Sequence, residues 1–234
     1  MTWPPCGRNS CPVPEPVASL LERTRTARWE EGGHFHRTLE SNNRAEQFVD
    51  GRGDTRFAPV PGASHVYLGR TATVTLLEVV ARDTSSAGLY RAALDRWCTA
   101  PVSLDAPMSL VDLRDDELER LGIARDALVA TGSAHYPCTR AWATAIHEHD
   151  LGGAPPDGIV WYSRQGDLYR RRHGGGVLGD LLTHDNVEVA VLWDPPAGGS
   201  VLLPDGEPSA LLEVTGEPSQ LVVELANLLQ YPIL

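Results

Sequence analysis

A chain of 234 residues with 42% hydrophobic and 22% charged residues is long enough to bury a sizeable core and has the composition of a globular protein in water. No apolar run approaches the roughly twenty residues that a membrane-spanning helix needs. The formal net charge of −11 argues against nonspecific nucleic-acid binding, because an acidic surface repels phosphates, so any anionic ligand must be held locally by converging arginines.

Residues 1–15, rich in proline and small polar residues, read as a disordered or loosely packed tail. The opening MTWPPCGRNSCPVPEP has no basic stretch followed by an apolar core, so cytoplasmic residence is the expectation. Cys6, Cys11, Cys98 and Cys138 lack C-x-x-C spacing and read as reduced thiols. From Pro16 on, VASLLERTRTARWEE carries Val17, Leu20, Leu21 and Thr24 at helical spacing and predicts a helix stopped by Gly32 and Gly33. HFHRTL predicts a short strand with Phe35 and Arg37 on one face and His36 and Thr38 on the other.

Next comes GRGDTRFAPVPGASHVYLG, a glycine- and proline-punctuated loop that carries Arg52 and Arg56 and leads into a strand ending in Tyr67 and Leu68. TATVTLLEVVAR sets Ala72, Leu76, Leu77 and Val80 on a helical stripe with Thr71 as its cap and Glu78 in its second turn. SAGLYRAALDRW supplies one more helix, MSLVDL a strand, and DDELERLGI a short helix closed by Gly122. YPCTRAWATAIHEH is helical, GIVWYS a strand with Ser163 at its end, VEVAVLW a strand, and SQLVVELANLLQ an amphipathic C-terminal stretch. Short strands mixed with short helices, with neither regular βαβ spacing nor a G-x-G-x-x-G after a strand, point to α+β and away from a Rossmann domain.

Few residues stand out chemically. A glutamate within an otherwise apolar helical stripe is costly to bury unpaired, so Glu78 is either solvated at the stripe's edge or functional. The pairs His34/His36 and His147/His149 have neither H-E-x-x-H spacing nor a nearby cysteine pair, so no metal-ligating set is assigned. Arg52-Gly53-Asp54 reads as part of a turn, and RRRHGGG at 170–176 as a basic surface loop.

Taken in order, Arg37, the Arg56-Phe57 pair, Tyr67-Leu68, Glu78 and Ser163, within HRTL, GRGDTRF, HVYLGRTATVTLLE, SLVDL, TRAWATAIHEH and DGIVWYSRQGD, resemble the RES-domain family, named for an arginine, a glutamate and a serine. The resemblance runs over roughly residues 33 to 195. It divides the chain into an N-terminal tail and helix (1–32), a RES domain (33–205) and a C-terminal extension (206–234). It implies an ADP-ribosyltransferase-like fold of mixed or antiparallel sheets with short flanking helices, and NAD as a substrate whose nicotinamide–ribose bond is broken. It also implies a toxin paired with an Xre-type antitoxin. Inorganic phosphate, water or a protein side chain would accept the ADP-ribosyl group; a silent NAD-binding module is the alternative from another class.

These residue types suit that chemistry. Glycosidic cleavage of NAD passes through an oxocarbenium-like state that a carboxylate, Glu78, can stabilise. Arginine forks grip pyrophosphate oxygens, a role expected of Arg37 and Arg56 with Arg52 in reserve. Tyr67 is expected to stack on nicotinamide, and Ser163 to hydrogen-bond ribose, phosphate or Glu78. Arg164, beside it, is a candidate for inorganic phosphate.

Overall fold

The protein is described from a computed structural model that covers residues 4–51, 53–80, 88–151, 153–172, 183–195 and 200–234, with only the helical backbone given for 169–172. A short helix α1 (Ala18–Leu21) precedes strands β1 (Thr26–Trp29), β2 (His34–Glu40), β3 (Val49–Asp50) and β4 (Ser64–Gly69). Helices α2 (Ala72–Val79) and α3 (Arg91–Leu94) lead to β5 (Trp97–Leu104) and β6 (Met108–Asp112). Then follow α4 (Asp115–Leu121), α5 (Tyr136–His147), β7 (Gly158–Tyr162), α6 (Arg164–Arg172), β8 (Glu188–Trp193), β9 (Leu202–Pro204), β10 (Ser209–Ala210) and α7 (Gln220–Leu229).

The strands form one mixed sheet in the order β1-β6-β7-β8-β4-β2-β5-β10, with β3 beside β4 and β9 beside β5. The β6–β7 pairing is parallel, and β4, β7 and β8 pair antiparallel. This is the α+β fold the short alternating elements lead one to expect, one sheet flanked by short helices.

Alternation along the strands sorts side chains onto two buried faces. One face packs Ile159, Trp161, Val189 and Val191 against Val74 and Leu77 of α2 and Trp142 of α5. The other gathers Phe35, Leu39, Val66, Leu68, Ala100, Val102, Val160 and Ala190. Burying side chains of this kind stabilises by about 1.5–3 kcal/mol each, and truncating Leu77 or Trp142 would open a cavity in the first cluster.

Local signals explain the helix ends. Thr71 Oγ1 accepts the Val74 amide at 3.2 Å and opens α2. Acidic Asp115, Asp116 and Glu117 complement the N-terminal dipole of α4, and Gly122, at φ 74, closes it in the left-handed region.

In three places the chain departs from the pattern. The helix expected from Val17 shrinks to α1, because Thr26–Trp29 pairs with β6 and buries Trp29 against Phe35. A strand was not expected at 97–104, which contains Pro101. Yet β5 pairs with the whole of β2, and Pro101 falls in the gap between the outer partners, β10 at Cys98–Thr99 and β9 at Val102–Leu104. The N-terminal tail is packed: Val13 is buried, and the Trp142 indole donates to the Pro14 carbonyl at 2.7 Å. The C-terminal stretch also joins the main body, with β10 pairing β5 and Val222 and Leu225 of α7 in the first core cluster. Among the described residues no helix is long and apolar enough to cross a membrane.

Candidate active site

Glu78 lies one residue before the end of α2, half-buried, after the buried run Val74–Leu77 has packed the helix onto the sheet. Ser163 lies just beyond β7, fully buried, and its Oγ donates to Glu78 Oε1 at 2.5 Å. The same Oγ accepts the Gly166 amide at 2.9 Å, so Ser163 caps α6 while it orients the carboxylate. Position 166 has to be glycine for this approach: a Cβ there would stand 2.8 Å from Val187 Cγ1 and 2.9 Å from its Cβ. The sequence D-G-I-V-W-Y-S-R-Q-G therefore encodes a strand end, a cap and a close turn, with the serine hydroxyl aimed at α2.

Arg56 faces the same side of the sheet. Only 7% exposed, it donates through Nη1 to Thr131 Oγ1 at 2.7 Å and to the Leu128 carbonyl at 3.3 Å, and its guanidinium lies 5.1 Å from the Tyr136 ring centre. Burial pulls the guanidinium below its usual pKa, while Tyr136, Glu78 and Tyr67 push it back up and Arg164 adds to the lowering. Glu78, Tyr67 and Arg164 thus each sit within electrostatic reach of Arg56. The Arg56 carbonyl accepts the buried Thr139 hydroxyl of α5.

Tyr67 holds the loop that carries Arg56. Its hydroxyl accepts the Phe57 amide at 3.1 Å and pairs with Thr55 Oγ1 at 2.8 Å, while its ring meets Trp161 edge-on at 6.0 Å. The strand SHVYLG therefore fixes the rigid cationic loop before it, and Arg140 of α5 ties down Asp54 of the same loop.

Arg37 is placed differently. Strand alternation puts it with Phe35 and Leu39, on the face of β2 opposite Thr38, whose hydroxyl donates to Thr75 of α2. Its Nη1 donates to the carbonyls of Gln47 at 2.6 Å, Ala45 at 2.8 Å and Arg44 at 3.3 Å. Burial lowers its pKa to about 10, against the opposing pull of Glu46 and Cys98. Of the expected set, Glu78, Ser163, Arg56 and Tyr67 lie on one face and Arg37 on the other; Arg52 lies outside the described residues.

Sequence reasoning missed the residues that hold these groups: Thr131 and Tyr136 beside Arg56, Thr55 beneath Tyr67, and Arg125. Arg125 Nη2 donates to the carbonyls of Tyr162 at 3.0 Å and Ser163 at 3.3 Å, while its Nη1 pairs with Asp115 and Asp167. Tyr136 and Thr139 lie one helical turn apart on the buried side of α5, in line with Ala143 and Ile146, so the sequence shows them as ordinary members of its inward face. A cavity of about 380 Å³ next to Ser163 is lined by Arg125, Asp126, Ala130, Arg164, Asp167 and Leu168.

A carboxylate oriented by a hydroxyl, beside a buried guanidinium, can stabilise a developing cation and hold an anion at the same time. Among curated protein sequences none matches this chain. A chain of the M.tuberculosis MbcT–MbcA toxin–antitoxin complex shares the fold, with a TM-score of 0.55 at 14% identity, over 84% of this chain and 93% of that chain. The family model described as "RES domain" matches residues 28–202, which include Arg37, Arg56, Tyr67, Glu78 and Ser163, and the chain belongs to the RES-domain family.

Proposed function

We propose that this protein is an enzyme that breaks the nicotinamide–ribose bond of NAD and so acts as the toxin of a toxin–antitoxin pair. The observation that carries the reading is the Ser163–Glu78 hydrogen bond of 2.5 Å within electrostatic reach of Arg56. Glu78 would face the ribose and stabilise positive charge as nicotinamide departs, and Ser163 would keep that carboxylate in one rotamer. Arg56, pre-positioned by Thr131 and Tyr136, would bind the pyrophosphate. Arg164 is exposed on the first turn of α6, beside the 380 Å³ cavity, and suits an incoming phosphate. Tyr67 acts by holding the Arg56 loop as well as through its ring. Arg37 is assigned a positioning role, through the 44–47 loop.

An antitoxin partner is supported by the fold shared with a chain of a toxin–antitoxin complex, and an Xre-type protein is the expected one. The test is nicotinamide release from NAD by the purified protein, with and without inorganic phosphate, compared with Glu78→Gln. Phosphate-dependent release lost in the variant supports a phosphorylase, and phosphate-independent release a hydrolase. Radioactivity from adenine-labelled NAD ending on protein would move the assignment to ADP-ribosyl transfer. No release, or equal release by Glu78→Gln, overturns it.

A further inference from the structure

Three of the four cysteines converge at a place remote from one another in sequence. Cys6 and Cys11, from the N-terminal tail, meet His135 and Cys138 at the start of α5, more than 120 residues away. Cys6 Sγ lies 3.7 Å from His135 Nδ1, and Cys11 Sγ 3.5 Å from Cys138 Sγ. The ligand atoms of Cys6, Cys11 and His135 all lie within 4.8 Å of one another. The Cys6 amide donates to Cys138 Sγ at 3.4 Å.

We infer that Cys6, Cys11, His135 and Cys138 form a structural site for one zinc ion. With Zn–S near 2.3 Å and Zn–N near 2.0–2.1 Å, tetrahedral coordination sets neighbouring ligand atoms about 3.6–3.8 Å apart, close to the two separations found here. The ligands come as two short-spaced pairs, C-x-x-x-x-C and H-x-x-C, the way structural zinc sites gather donors from two chain segments. Three thiols and an imidazole, with no carboxylate among them, select zinc over magnesium or calcium. An amide donating to a ligand sulfur is the kind of outer contact that steadies a thiolate. The set was invisible in the sequence because each pair alone is a weak signal, and the histidine that completes it is not one of the H-x-H pairs.

The site has a clear structural task. The tail from Pro4 to Pro16 has no helix or strand, and its described anchors are the buried Val13 and the indole bond to Pro14. An ion gripping both segments would clamp this tail to α5. Between the two α5-side ligands lies Tyr136, whose ring faces the Arg56 guanidinium, and Thr139, one residue past Cys138, bonds the Arg56 carbonyl. The ion would therefore stiffen the turn that supports Arg56. The inference does not depend on what the site around Glu78 does.

The test is the metal content of the full-length protein purified under reducing conditions, with cobalt titration of the apo form as an optical readout. The expected result is about one zinc per chain, with cobalt giving the intense visible bands of a tetrahedral thiolate site. Cys6→Ser and Cys11→Ser should lower zinc content at least about tenfold, while Cys98→Ser, a thiol buried on the opposite face of the sheet, should keep it. A strong chelator should lower the melting temperature of the wild type but not of Cys11→Ser. Absence of zinc together with an octahedral-type or absent cobalt spectrum in the wild type overturns the inference without recourse to any variant. So does zinc retained by both serine variants, or a Cys11–Cys138 disulfide in the wild type that, once reduced, leaves a protein unable to bind either metal.

Discussion

The two faces of the sheet both bury charge, and they use it in opposite ways. On the face of Phe35 and Leu39, Arg37 spends its Nη1 on three main-chain carbonyls. At the rim of that face Glu188 is shared by Arg70 at 2.6 Å and Arg114 at 2.9 Å, and Arg114 also grips Asp112. Arg70 lies over the rings of Trp29 and Phe35, 4.9 and 4.6 Å from their centres. On the opposite face, among the described residues, Glu78 is held by the Ser163 hydroxyl, and Arg56 by a hydroxyl, a carbonyl and a ring, within electrostatic reach of Glu78 but forming no ion pair with it. Burial of charge alone therefore does not mark a site. The difference lies in whether the charge is spent on contacts that hold the fold, ion pairs for Glu188 and loop carbonyls for Arg37, or is held in place beside an opposite charge that it does not pair with.

The sharpest way to break this comparison is Glu78→Gln. It keeps the shape and a partner for Ser163 and removes the charge, so NAD cleavage should fall about 10²–10⁴-fold with the melting temperature little changed. A variant that unfolds, or one that keeps its rate, would erase the distinction between the faces.

Substituting the two arginines sharpens it. Arg37→Met should cost stability on the order of 3 kcal/mol in denaturant titration, since the carbonyls of Arg44, Ala45 and Gln47 lose a buried donor, while activity per folded molecule stays within a few-fold. Arg56→Met should instead raise KM for NAD, because in the function proposed above the lost group binds the substrate. If Arg37→Met proves the better folded and the less active of the two, the assignment of roles is reversed.

His65 lies where the two faces influence each other. It is buried in β4, its Nδ1 has no hydrogen-bond partner among the described residues, and its pKa is depressed to about 4 by burial and by the charge of Arg37. A histidine whose folded pKa lies below its unfolded value near 6.5 binds its proton more readily in the unfolded chain. Its neutral form is therefore fully compatible with the fold above about pH 6.5, and stability should decline as pH falls from there toward 4. His65→Phe should flatten that part of the stability curve measured by thermal melts between the two pH values. In an Arg37→Met background the decline should begin at lower stability and be shallower.

The smallest effect is expected at Ser163. Ser163→Ala removes the α6 cap, worth about 1 kcal/mol, and leaves Glu78 without its orienting donor. Activity should fall by roughly tenfold, much less than for Glu78→Gln, and Ser163→Thr should restore part of the stability but not the rate, because the extra methyl has no room in a fully buried position.

Much of the fold was legible because its signals are local. Alternation marked β2 and short apolar runs marked β4, β6, β7 and β8, while Thr71 and Gly122 marked helix ends, since such runs and caps depend on neighbours a few residues apart. The same locality brought Glu78 forward, a glutamate out of place in an apolar stripe, whereas Ser163 came forward only through the resemblance that DGIVWYS carries. What the amino-acid order could not reveal was convergence over long distances. A helical spacing from Val17 to Thr24 gave way to β1 because the edge of β6 offered a partner, and β5 formed despite Pro101 because β2 covers its length. Arg37 and Arg56 are the same residue type in similar contexts, and only their places on opposite faces of one sheet separate a guanidinium spent on a loop from one set beside a carboxylate. The four ligands around Cys6 are likewise two unremarkable pairs until the tail lies against α5. Sequence determines the strands and helices whose signals lie among adjacent residues; the tertiary structure decides segments such as β1 and β5, and which charges and thiols meet, because the partners that matter to them are reached only through space.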